Sequence, residues 1–172
     1  MLQLILGGAR SGKSRLAEQV ASKQGLPVVY IATAQVLDTE MQERIQHHRQ
    51  MRPAHWHLIE EPLYLAETLA KIDKENQLIL VDCLTLWMSN LLLQQEAALQ
   101  LQECQKLLDI LPQLQSKVIL VSNETGLGVV PMGQISRQFV DETGRLHQQL
   151  GQIAQKVMFC IAGFPLILKE EA

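Results

Sequence analysis

The sequence predicts an α/β fold with a mostly parallel central sheet flanked by helices, on three observations. Short apolar runs recur at Leu2 to Leu6, Pro27 to Ala32, Leu78 to Val81, Lys117 to Val121 and Val157 to Ile161. They are nearly continuous rather than alternating, which is how strands covered on both faces read. Between them lie stretches with apolar residues at helical spacing, and strands alternating with helices build parallel sheets. The first run also passes straight into a glycine-rich turn and then a helical pattern, a sequence of elements that such sheets use to seat a ligand at a strand end.

Taken in order, the helical stretches are Lys13 to Gln24, Asp38 to Gln50, Leu63 to Ile72, Leu84 to Leu93, Glu96 to Leu114 and Gln134 to Gln152. The glutamine-rich part, Gln94 to Gln115, keeps leucines at helical spacing and reads as a helix with a polar face. Gly163, Phe164 and Pro165 separate the last run from Leu166 to Leu168, so the chain is expected to close with a hairpin on the sheet edge. With 172 residues, 47% of them hydrophobic, and no internal repeat or linker, residues 1–172 suit one domain.

Composition narrows the function. Fifteen basic against 18 acidic residues give a net charge of -3, and no run of Lys or Arg could track a phosphate backbone. Nucleic acid is therefore not an expected partner. The longest apolar stretch, Val157 to Leu168, is interrupted by Gly163 and Pro165 and falls short of the roughly 20 residues that a membrane span needs. Met1 to Leu6 carries no basic leader, so the expected location is the cytoplasm. Cys83, Cys104 and Cys160 are odd in number and widely spaced, which fits buried thiols rather than a disulfide framework or a zinc site.

Gly7, Gly8, Ala9, Arg10, Ser11, Gly12, Lys13 and Ser14 satisfy the phosphate-loop spacing G-x-x-x-x-G-K-[ST], after an apolar strand and before a helix. Glycines let backbone amides turn inward around phosphate oxygens, and the helix that follows presents its positive end. Lys13 is then the catalytic cation for the β- and γ-phosphates, and the Ser14 hydroxyl a ligand for Mg2+. A plain glycine-rich turn would need neither. The metal also calls for a carboxylate at the end of another central strand, and Asp82 follows Leu78 to Val81 there. Capping of the helix that starts near Leu84 is the competing role for Asp82, and the two can coexist.

Four of the five histidines, His47, His48, His55 and His57, fall within one short segment. On a helix over Asp38 to Gln50, Glu43 shares a face with His47 and Arg44 with His48, the two histidines pointing about 100° apart. A carboxylate favours charged imidazole, whereas a guanidinium favours the neutral form, which alone is a nucleophile. His48 is thus the better candidate to attack a phosphorus, with Arg49 and Arg52 neutralising phosphate charge. A solvated polar helix face is the alternative for the same residues.

The chain resembles the bifunctional adenosylcobinamide kinase and adenosylcobinamide-phosphate guanylyltransferase family. The residues that carry the resemblance are Gly7 to Arg15, Tyr30 to Ala34, Arg44 to Arg49, Arg52 to Trp56, Asn123 to Pro131, Arg137, Gly144 and Arg145, spread over nearly the whole chain. It implies a P-loop NTPase of recombinase-like fold assembled as a homotrimer. It implies phosphorylation of adenosylcobinamide by ATP or GTP, then transfer of GMP from GTP to adenosylcobinamide phosphate through a GMP-histidine intermediate. His48 maps to the family's nucleophile. The implied GTP contacts are Gly7 to Ser14, Ala32, Thr33, Ala34, Arg49, Gln50, Met51, Arg52, Glu60 and Asp82. Two positions depart from the pattern: Asp82 stands where many relatives carry glutamate, leaving a metal or ribose contact open, and His147, expected to be structural on a polar helix, stands where asparagine often follows the Gly-Arg pair. Asn123 and Glu124 sit where a strand meets the cleft and could position the corrinoid hydroxyl or a water. Trp56 and Trp87 read as core or interface before they read as stacking surfaces. A monofunctional P-loop kinase and a nucleotide-gated binding module remain as alternatives.

Overall fold

The computed structural model describes residues 1–35 and 53–171. Seven strands form one sheet: β1 (Leu2–Gly7), β2 (Val28–Ala32), β3 (His57–Glu60), β4 (Leu78–Asp82), β5 (Lys117–Asn123), β6 (Lys156–Ile161) and β7 (Phe164–Glu170), in the order β3-β2-β4-β5-β1-β6-β7. All neighbours pair in parallel except β6 and β7. The described helices are α1 (Lys13–Lys23), α2 (Leu65–Ile72), α3 (Leu84–Leu93), α4 (Ala97–Ile110), with a 3-10 turn over Leu111–Gln113, and α5 (Gln134–Ile153).

The expected strands and helices therefore appear, and the helix expected over Asp38 to Gln50 lies outside the described residues. One strand escaped the sequence reading. β3 is a four-residue edge strand with only Leu58 and Ile59 apolar, too short to show a period.

The continuous apolar runs have their cause in the two covered faces. Leu4 and Leu6, Ile79 and Val81, and Val118 and Leu120 face one side, where Leu65 and Leu69 of α2, Trp87 and Leu91 of α3 and Leu146 and Leu150 of α5 cover them. The alternating residues Ile5, Leu78, Leu80, Ile119 and Val121 face the other side, beneath Ala17 and Ala21 of α1. Those two alanines let α1 sit close on the sheet, which fixes where its N-terminus meets the end of β1. Trp87 is fully buried and donates its indole N–H to the Leu63 carbonyl at 2.7 Å, and Trp56 is buried beside Tyr30, with ring centroids 6.4 Å apart. Both tryptophans are core residues. Cys83 and Cys160 are buried as expected, while Cys104 is only half-buried.

β6 and β7 form the expected edge hairpin through Ala162 and Gly163, both at positive φ (51° and 83°). That is the backbone of a two-residue turn matched to strand twist, and it sets the hairpin tip beside the end of β1.

Candidate active site

Parallel pairing brings the ends of five strands to one edge of the sheet, which is where open α/β sheets hold their ligands. Gly7, Ala32, Glu60, Asp82 and Asn123 end β1, β2, β3, β4 and β5 there. After Gly7 the backbone reverses through Arg10 (φ 55°) and Gly12 (φ 92°) and enters α1 at Lys13. Ser11 N donates to the Gly8 carbonyl at 3.3 Å, and Lys13 Nζ folds back onto that carbonyl at 3.3 Å. The lysine thus lies over the loop that it is expected to serve.

The loop has almost no spare room on its β6 side. Gly163 N donates to the Ser11 carbonyl at 2.8 Å, and the Cys160 thiol points at the same oxygen at 3.2 Å. A Cβ on Gly7 would stand 2.6 Å from Ser11 Oγ and 2.7 Å from the Cys160 carbonyl oxygen; one on Gly12 would stand 3.0 Å from Gly163 Cα. Glycine is a steric requirement at Gly7, and at Gly12 the positive φ adds a conformational one to a tight contact.

At the β2 and β4 ends, polar bonds do the fixing. The fully buried Thr33 hydroxyl accepts from Cys83 N at 2.9 Å and donates to the Cys83 carbonyl at 2.7 Å, while Asn90 Nδ2 donates to the Thr33 carbonyl at 2.7 Å. Of the expected nucleotide contacts at Ala32, Thr33 and Ala34, the Thr33 side chain is therefore engaged in holding the two strand ends together. Asp82 Oδ2 accepts from Tyr30 OH at 3.0 Å. Burial pushes the neighbouring Cys83 thiol up to about 11, with the Asp82 charge adding to it, so it stays protonated and unreactive.

On the β5 side, Glu124 N donates to the Gly7 carbonyl at 3.0 Å, tying the end of β5 to the first residue of the phosphate loop. Its carboxylate accepts from Gly126 N at 2.5 Å and faces His147 Nδ1 at 3.8 Å. His147 Nε2 lies 2.7 Å from Ser122 Oγ, and burial lowers the pKa of the imidazole against the opposing pull of Glu124. From the sequence alone His147 reads as a structural residue on a polar helix. Thr143, Leu146, His147 and Leu150 form the buried stripe of α5, and that spacing was the available signal that His147 points inward.

His57 opens β3 and pairs with Val29, so it lies at the opposite end of that strand from Glu60, roughly 10 Å away at the rise of an extended chain. His48, Arg49, Gln50, Met51 and Arg52 lie outside the described residues. Ser14 and Asp82 are hard oxygen donors of the kind that Mg2+ accepts alongside phosphate oxygens and waters, and no larger protein cage is required of them. Among the described residues no group of three or more His, Cys, Asp or Glu stands ready to hold a metal alone. A groove of about 330 Å³ between α4 and α5, bordered by Leu101, Cys104, Leu108 and Leu146, shares no residue with this edge.

The family model described as cobinamide kinase / cobinamide phosphate guanyltransferase matches residues 3–168. The bifunctional adenosylcobalamin biosynthesis protein CobP of Pseudomonas aeruginosa is 55% identical over 171 residues, covering 99% of both chains. The CobU protein of the same description from Escherichia coli K12 is 38% identical over 183 residues, covering 98% of this chain and all of its own. Among solved structures, a Pyrococcus horikoshii OT3 protein superposes with a TM-score of 0.58 at 9% identity, covering 98% of this chain and 86% of its own. The RadB recombinase does so with a TM-score of 0.52 at 16% identity, over 92% and 73%. These two likenesses are of fold alone, and the mostly parallel seven-stranded sheet with its flanking helices fits an α/β P-loop fold.

Proposed function

The chain belongs to the cobinamide kinase / cobinamide phosphate guanyltransferase family, and from that premise we propose how its residues divide the work. The enzyme is a bifunctional transferase of cobalamin biosynthesis that uses nucleoside triphosphates on cobinamide. In the first reaction the aminopropanol hydroxyl of adenosylcobinamide attacks the γ-phosphorus of ATP or GTP. In the second, GMP passes from GTP to the new phosphate and pyrophosphate leaves.

The observation that carries the residue assignment is the complete phosphate loop closing β1, with Lys13 Nζ already over it, 3.3 Å from the Gly8 carbonyl. Gly7, Gly8, Ala9, Arg10, Ser11 and Gly12 supply inward backbone amides to the triphosphate, and Lys13 meets the charge that develops on the transferred group. Ser14 and Asp82 would hold Mg2+, which supplies charge neutralisation at the β- and γ-phosphates. Ala32, Thr33, Ala34, Glu60 and the segment Arg49, Gln50, Met51 and Arg52 contact the rest of the nucleotide. The part of Thr33 in that contact is indirect: it is fully buried with its hydroxyl, N–H and carbonyl all bonded, and it holds Ala32 and Ala34 in place.

His48 is the nucleophile of the second reaction. Its neutral imidazole attacks the α-phosphorus of GTP as pyrophosphate leaves, and an oxygen of the corrinoid phosphate then displaces the imidazole. Arg44, four residues before it in the sequence, supplies a nearby positive charge that favours the neutral form. Residues 1–172 carry both reactions as one unit, working in the cytoplasm as a homotrimer. The exposed apolar side chains of β7, Phe164, Leu166, Ile167 and Leu168, support assembly, and no described helix is long and apolar enough to cross a membrane.

The test is to supply adenosylcobinamide, GTP and Mg2+ and to resolve the corrinoid products by mass. Cobinamide phosphate followed by cobinamide-GDP is the expected result, and Lys13→Ala should lower both by at least about 100-fold. A Lys13→Ala protein that works at the wild-type rate would contradict the assignment of the loop.

A further inference from the structure

We propose that Glu124 takes the proton from the corrinoid hydroxyl during phosphoryl transfer, with His147 and Ser122 as the positioning residues that aim its carboxylate. This inference rests on the kinase reading of the phosphate loop. Carboxylates end or directly follow three strands at the phosphate edge: Glu60 and Glu61 at β3, Asp82 at β4 and Glu124 at β5. In the sheet order β3-β2-β4-β5-β1, they stand four, two and one strands from β1. At about 4.8 Å between strands, only Glu124 lies one strand spacing from the loop. Its backbone N–H is bonded to the Gly7 carbonyl at 3.0 Å, so any shift of the loop is felt at this residue. Asp82, by contrast, already holds Tyr30 OH.

The surroundings of Glu124 aim it. Its side chain is 20% exposed, so it is open to a substrate on one side and packed on the other. Gly126 N holds Oε1 at 2.5 Å, and Oε2 faces Nδ1 of His147 at 3.8 Å. Behind the imidazole, Ser122 Oγ is 2.7 Å from Nε2, and both residues are buried. The carboxylate decides the tautomer of the imidazole. A lone pair on Nδ1 would face negative charge, so Nδ1 carries the proton towards Glu124 and Nε2 accepts from the Ser122 hydroxyl. A short closure of the 3.8 Å gap then makes a hydrogen bond, as catalytic groups commonly do when substrate arrives.

The step balances within the established chemistry. The hydroxyl oxygen bonds to the γ-phosphorus as the bridging P–O bond breaks, its electron pair leaves with the nucleoside diphosphate, and the hydroxyl proton passes to Oε2 of Glu124. Nothing beyond the two substrates is consumed.

Steady-state phosphorylation of adenosylcobinamide, with labelled γ-phosphate, tests the proposal. Glu124→Gln keeps the shape and the Gly126 contact but cannot take a proton, and its kcat should fall by about 100-fold or more while KM for the nucleotide moves far less. His147→Leu should lower kcat by roughly 10-fold or more, and His147→Asn, whose Nδ2 can replace Nδ1 as donor, should restore most of it. A folded Glu124→Gln enzyme with kcat within threefold of wild type overturns the proposal. If Glu124→Gln does not fold, equal kcat for His147→Leu and His147→Asn overturns it instead. Wild type run alongside separates the two claims, since a wild type that makes no cobinamide phosphate contradicts the kinase reading itself.

Discussion

The two flanks of the phosphate loop are held by different physics. On the β6 and β7 side the contact is steric: Cys160 of β6 leaves no room for a Cβ at Gly7, the hairpin tip crowds one at Gly12, and one backbone bond, Gly163 N to the Ser11 carbonyl at 2.8 Å, closes the gap. On the β5 and α5 side the contact is polar, running from Gly7 through Glu124 to His147 and Ser122. A steric flank fixes where the triphosphate lies and takes no part in bond making, whereas a polar flank can move a proton. Substitutions on the first should therefore act through binding and stability, and those on the second through turnover and its dependence on pH.

The largest effect outside the reacting groups is expected from Gly12→Ala. Its φ of 92° suits glycine, and the added Cβ would meet Gly163 Cα at 3.0 Å, so both strain and contact act on the loop. GTP affinity should fall by about 10-fold or more in a direct titration, and an unchanged affinity would break the steric half of the comparison. Gly7→Ala comes next. The new Cβ would press on the Cys160 carbonyl, a backbone atom that can yield only with β6, and overpacking of this kind costs about 1–3 kcal/mol, readable in thermal unfolding.

The fold was legible in the sequence because its cause is local. Strands buried on both faces are written as unbroken apolar runs, and the loop from Gly7 to Ser14 is defined by its own spacing. What escaped depends on pairing between distant segments. β3 is an edge strand only because Val29 to Ala32 offer it partners, and Glu124, His147 and Ser122 meet only once α5 packs across β5. The function needed the resemblance, since a phosphate loop alone leaves the acceptor unspecified.

His147 gives the polar flank a pH signature. Burial lowers its folded pKa below 6.5, so the unfolded chain binds more protons in that range. The stability it contributes is present above pH 6.5 and is lost as pH falls through the lower folded value. Denaturant unfolding should show wild type losing stability in that window and His147→Leu losing less; parallel curves would remove the burial argument. The smallest effect is expected from Tyr30→Phe, which removes the 3.0 Å bond to Asp82 and leaves the ring packing beside Trp56. A cost near 1 kcal/mol and a modest rise in the Mg2+ needed for half-maximal rate would fit a supporting role.

The most direct test of the account is covalent capture of the nucleotide. Wild type and His48→Ala are incubated with Mg2+ and GTP labelled at the α-phosphate, then examined for acid-labile, base-stable label on protein. Label is expected on wild type and none on His48→Ala. Label that survives in His48→Ala, or its absence from a folded wild type that binds GTP, would contradict guanylyl transfer through His48.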